Sequence, residues 1–96
     1  MKKELIVSIP ADANDPEDFA IGAAGVARAQ MGRRIRMLRG RLSLTQEEFA
    51  ARYGIPVANI RQYEIGRSMP PPAVRSYLAV IEAEPKRAAE ALRRAA

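Results

Sequence analysis

The chain contains no cysteine, no histidine and no tryptophan. The missing cysteines exclude disulfides and thiol chemistry, and the missing histidines remove the usual neutral-pH general base together with the commonest zinc ligands. Metal and cofactor sites are therefore not expected, and neither is an enzyme. Aromatic residues are few: Phe19, Phe49, Tyr53, Tyr63 and Tyr77. A core with so few large rings has to be aliphatic and alanine-rich, which favours packed helices over a sheet. No apolar run approaches the roughly 20 residues that a bilayer-crossing helix needs. Lys2 and Lys3 precede only the short run Leu5-Ile6-Val7, with no cleavable signal after it. The expected location is the cytoplasm, with no membrane partner.

What the chain does have is arginine, unevenly placed. Residues 1–25 hold two lysines and five acids, a net −3, whereas residues 26–96 hold fourteen basic and six acidic residues, a net +8. A basic body behind an acidic leader points to a polyanion as the partner of the body. A chain of 96 residues has room for one domain, and at that size dimerisation is a natural source of added stability.

Residues 1–22 read as an irregular arm. Leu5, Val7 and Ile9 alternate with other residues in a weak strand pattern that stops at Pro10, and a loop-like stretch runs on to Pro16. Asp15-Pro16 can start a short turn through Phe19. From about Ala23 to Gly40 the apolar residues Val26, Ala27, Met31, Ile35 and Leu38 recur at helical spacing, with a break expected near Gly32. Thr45 followed by Glu48 is a capping box, so a helix should run from Gln46 to Tyr53 and stop at Gly54. Pro56 then opens a second helix over Val57 to about Ile65, ending at Gly66. Two short helices joined by a tight glycine-containing turn make a helix-turn-helix. A fourth helix is expected over Val74–Ala83, with Val74, Tyr77, Leu78 and Ile81 as its stripe, and Pro85 opens a last helix to about Arg94. The expected fold is an all-α bundle, divided into an arm (1–22), a helix-turn-helix domain (23–84) and a C-terminal helix (85–96).

Helical geometry sorts the second motif helix into two faces. Ile60, Tyr63 and Glu64 share the face that meets Phe49, Ala50 and Ile55. Ala58, Arg61, Gln62 and Ile65 lie opposite, with Val57 at the tip. Glu64 faces inward and needs a cation.

Leu42-Ser-Leu-Thr-Gln-Glu-Glu-Phe-Ala50, followed by Tyr53-Gly54-Ile55, Ile60, Glu64, Gly66 and Pro70, resembles the Cro/cI-like (XRE) helix-turn-helix family over residues 33–72. Arg61-Gln-Tyr-Glu-Ile-Gly-Arg67, the proline-rich exit and the helix from Val74 to Ile81 look like a subgroup of HigA-type antitoxins. The resemblance implies an autoregulating repressor that binds operator DNA and neutralises a RelE-like or BrnT-like ribonuclease. A stand-alone repressor without a toxin and an adaptor that has lost DNA binding are the competing readings.

The resemblance makes Val57, Ala58 and Gln62 base-reading positions, with Asn59 and Arg61 beside them. Gln62 suits a bidentate pair with adenine and Arg61 suits guanine or a phosphate, while Val57 and Ala58 can offer only apolar contact. That is a departure from more polar family members. It also places Arg39 where it would pair with Glu64. Gln46, at a helix N-terminus, is the leading phosphate contact, with Arg41, Arg67 and Ser68 flanking the motif. Arg33, Arg34 and Arg36 are further candidates, or else a solvated face. Leu5, Val7, Ile9 and Phe19 are candidates for a toxin-binding arm, and Tyr77, Leu78 and Ile81 for a homodimer contact. No small-molecule substrate is expected.

Overall fold

The computed structural model describes residues 22–95. The candidate strand and the toxin-arm residues Leu5, Val7, Ile9 and Phe19 lie outside them. Five helices follow in chain order: α1 (Ala23–Leu42), α2 (Gln46–Tyr53), α3 (Val57–Glu64), α4 (Pro72–Ala83) and α5 (Pro85–Ala95). Among the described residues there is no strand, so the body is all-α, as the composition implies.

The local signals explain most of these limits. Thr45 accepts a hydrogen bond from the Glu48 backbone N–H, and the Glu48 carboxylate accepts one from the Thr45 N–H, so the capping box closes in both directions. Gly54, at φ +71°, ends α2 in the left-handed region where a Cβ is penalised. Proline presets φ for the first turn of α4, which starts at Pro72, earlier than the apolar stripe suggests.

In α1 the structure departs from expectation at its middle, at its end and on its apolar face. The helix is unbroken through Gly32 and continues past Gly40 to Leu42. It is Ser43, at φ +56°, that takes the left-handed turn. Gly32 serves packing, because a Cβ there would stand 2.6 Å from the carbonyl oxygens of both Tyr63 and Glu64. The glycine lets the end of α3 rest directly on the backbone of α1. Val26, expected inside, is exposed.

The core gathers Ile35 and Leu38 of α1, Phe49, Ala50 and Tyr53 of α2, Ile55, and Ile60 and Tyr63 of α3. Leu78 and Ile81 of α4 and Ala88 and Ala89 of α5 complete it. Two tyrosine hydroxyls tie the second half to the motif: Tyr53 donates to the Pro85 carbonyl at 2.9 Å, and Tyr77 to the Tyr53 carbonyl at 2.6 Å. Burial pushes the Tyr77 phenol pKa up. The expected dimer stripe is corrected here. Leu78 and Ile81 are inside the bundle, Ile81 with no exposed surface at all, and Tyr77 is half-buried with its hydroxyl engaged. Leu78 and Ile81 already fill this chain's own core and are not available to a second copy, while Tyr77 keeps part of its surface exposed.

Candidate nucleic-acid interface

α3 presents two unlike faces. Ile60, Tyr63 and Glu64 are buried, while Ala58, Asn59, Arg61, Gln62 and Ile65 are exposed and Val57 is half-buried at the tip. The turn at Gly54 and Pro56 fixes the angle at which this exposed row leaves α2. The Ile55 N–H donates back to the Ala50 carbonyl, which locks the turn, and Ile55 is buried beneath it.

The buried carboxylate of Glu64 is held by three hydrogen bonds. Arg39 donates through Nε to Oε2 at 2.6 Å and through Nη2 to Oε1 at 2.9 Å, and Gln46 donates through Nε2 to Oε1 at 3.0 Å. Arg39 also donates to the Leu44 carbonyl at 2.9 Å. One guanidinium thereby pins the α1–α2 turn and the base of α3 together, a fork geometry that lysine could not supply. A carboxylate with three donors is a satisfied buried charge, which would otherwise be costly. Glu64 supports the helix from within.

The outer edge of this network carries Arg61. Its Nη2 group donates to Glu47 Oε2 at 2.6 Å and its Nε to Gln46 Oε1 at 3.3 Å. The Glu47 carboxyl is held below the usual carboxylate range, first by its own backbone N–H at the head of α2 and then by the Arg61 guanidinium. Gln46 thus spends its amide on protein partners, giving to Glu64 and accepting from Arg61. Its backbone N–H, at the positive end of α2, is the part left to meet an anion.

Beyond α3 the chain folds back on the helix. The Arg67 and Ser68 N–H groups both donate to the Gln62 carbonyl, at 3.0 and 3.4 Å, which sets these two residues at the exit from α3. Arg67 is exposed there and Ser68 half-buried. Two arginines of α1 reach the same end: Arg28 Nε donates to the Gly66 carbonyl at 3.1 Å, and Arg36 donates to the Glu64 carbonyl. Both answer the partial negative charge at the C-terminus of α3. Arg36, Gln46, Glu64, Ile65 and Ala29 line an open cleft of about 420 Å³ beside it. Arg28 was missed in the sequence, and the sign that would have found it was spacing. Arg28, Gly32, Arg36 and Arg39 repeat at three and four residues along one face of α1, and a glycine amid arginines marks a backbone resting there.

Arg41 does not belong to this surface. It lies two residues, about 200° of helix, from Arg39 and turns to α4, where its Nη2 approaches the Glu82 carbonyl at 3.4 Å. Arg34 likewise turns to α4 and pairs with Glu82, with Nε–Oε2 at 3.1 Å. The Arg34 hydrogen bond also holds the Glu82 carboxyl below the usual range. Arg33 lines a shallow cleft of about 230 Å³ on that side, with Met37 and Arg41 among its neighbours. The cations therefore divide. Arg28, Arg36, Arg61 and Arg67 accompany α3, whereas Arg33, Arg34 and Arg41 accompany α4.

The second helix of the motif thus has a buried ion pair beneath it, an exposed row above it and cations gathered at its C-terminal end. A family model described as a helix-turn-helix domain matches residues 30–95. The chain belongs to that helix-turn-helix family. No curated protein and no solved structure matches it at a significant level. As a helix-turn-helix protein it is a DNA-binding regulator, and the XRE-like resemblance of residues 33–72 falls within the matched span. Among the described residues no helix is long and apolar enough to cross a membrane.

Proposed function

We propose that this helix-turn-helix protein is a sequence-specific cytoplasmic repressor that binds an operator in its own promoter, and that it serves as the antitoxin of a type II toxin–antitoxin pair. The observation that carries the first half is the exposed row Ala58, Asn59, Arg61 and Gln62 on a helix whose other face is anchored by Arg39–Glu64. In helix-turn-helix complexes the second helix enters the major groove and its N-terminal residues meet base edges. Gln62 supplies an adenine pair, Arg61 a guanine or phosphate contact, and Val57 with Ala58 a thymine methyl contact. Arg67, Ser68 and the head of α2 at Gln46 supply backbone contacts.

The antitoxin half is supported by the resemblance of residues 61–81 to HigA-type proteins and by the acidic residues 1–25, whose charge suits a basic RNA-cleaving toxin. One module buries only about 600–1,000 Å² on DNA, so the reading includes a homodimer on two half-sites. Its contact uses residues other than the buried Leu78 and Ile81. The role is binding without catalysis. Four of the six described acids, Glu47, Glu48, Glu64 and Glu82, are committed to a cap or an arginine, and Glu84 and Glu90 are exposed on the surface.

A stand-alone repressor is the second reading. One observation favours it: the family match takes in α2 to α5 and most of α1, and its description is of a helix-turn-helix domain alone. Binding of the purified protein to its own upstream DNA and to a scrambled duplex, at two salt concentrations, tests the common part. A preference that survives higher salt is expected, and equal, salt-sensitive binding to both would refute it. Co-expression with the neighbouring gene product separates the two readings. Deleting residues 1–18 is expected to abolish neutralisation and leave DNA binding intact.

A further inference from the structure

We infer that Glu47 is a specificity-determining residue of the DNA interface, acting by holding Arg61 in one orientation toward the duplex. The inference rests on the DNA-binding reading of α3 given above. Arg61 is the one exposed cation on the outward face of α3, and an arginine side chain free in solvent samples many rotamers. This one is fixed at two points by α2, through Nε to Gln46 and through Nη2 to Glu47. Gln46 is itself fixed to the buried Glu64, and Glu64 to Arg39. A continuous chain of hydrogen bonds therefore runs from the core of the bundle to the tip of Arg61. The guanidinium N–H groups not spent on α2, those of Nη1 among them, are left in a fixed fork. A fixed fork rewards an acceptor pattern that matches it and penalises one that does not.

Glu47 has a second effect of opposite sign. Its side chain is two-thirds exposed at the head of α2, close to where a phosphate would approach. Its negative charge weakens attraction to every duplex alike. Removing the charge should therefore help binding to any DNA while costing discrimination, because Arg61 loses the charge-assisted bond and keeps only neutral acceptors on α2. A residue that was merely structural would do neither.

Four full-length proteins decide the matter: the wild type, Glu47→Gln, Arg61→Ala and the double variant. Each is titrated by fluorescence anisotropy against its own upstream duplex and a scrambled duplex of equal composition. Thermal melting serves as a check on folding, and the pair is exposed, so Tm should stay within about 2 °C of the wild type. Glu47→Gln is expected to bind scrambled DNA about threefold more tightly, the scale of an exposed charge. Its preference for its own duplex should fall about fivefold, as for residues in direct contact. In the Arg61→Ala background the same change should leave the preference where it was. Equal gains on both duplexes with an unchanged preference would overturn the inference, as would a loss of preference that persists without Arg61. A wild type with no preference is a distinct failure, since it removes sequence-specific reading itself and this inference with it.

Discussion

At the scale of single residues, burial separates the side chains that hold α3 in place from those that α3 exposes. Glu64 is nearly inaccessible yet charged, and three donors converge on it. Taking away one partner of a buried pair strands the other, at a cost of about 3–5 kcal/mol. Glu64→Ala is accordingly expected to lower Tm by at least about 10 °C for a domain this size and to weaken DNA binding with it. Calorimetry and anisotropy on one sample check both, and unchanged values in each would disprove the role. Tyr53→Phe removes a single hydroxyl bond to Pro85 and should cost only about 1 kcal/mol, read as a small fall in Tm. The inward direction of Glu64 was legible in the sequence because 3.6-residue periodicity places it with Ile60 and Tyr63. The Arg61–Glu47 contact was not, because nothing local says which of several exposed acids an arginine fourteen residues away will meet.

Among the helices, the informative positions are the ones where backbone meets backbone. Gly32 and Gly40 occupy the same helix and would respond in opposite ways to a methyl group. At Gly32 it would run into two carbonyls of α3, so Gly32→Ala should destabilise by about 1–3 kcal/mol. At Gly40 nothing lies within 4 Å of the added Cβ, and Gly40→Ala should gain up to about 1 kcal/mol from helix propensity. Denaturant melts of the two variants would show shifts of opposite sign, and shifts of like sign would contradict this reading of α1. The limits of α2 were readable because Thr45, Glu48 and Gly54 are adjacent, self-contained signals. The end of α1 was not, since a serine in the left-handed region is held there by the surrounding structure and not by its own preference. The α1–α4 contact through Arg34 and Glu82 has its own pH signature. Glu82 has a folded pKa below its unfolded value, so its contribution is complete above the unfolded carboxylate range and fades as pH falls through the folded pKa. Glu82→Gln should flatten the loss of Tm between about pH 5 and pH 3, compared with the wild type.

Over the whole molecule, the helix-turn-helix and the two helices after it share one core. The boundary drawn before residue 85 divides the sequence, yet Ala88 and Ala89 are as buried as Leu78. Ending the chain at Glu84 would remove those contacts and the Pro85 acceptor of Tyr53. The shortened protein should lose its cooperative melt, and retention of a sharp transition at the wild-type Tm would show α5 to be an appendage. Fold class and motif were legible because periodicity, caps and breakers all agree over residues 42–72. The division of the arginines between α3 and α4 was not, because Glu82 and the carbonyls that receive them lie far along the chain. The seam at Gly32 has a consequence for redesign. The end of α3 is seated through main-chain atoms of Tyr63 and Glu64, while the side chains of Ala58, Asn59, Gln62 and Ile65 stand clear of that seat. Those four letters can be rewritten without disturbing the mount, which makes α3 an interchangeable type slug in a fixed press.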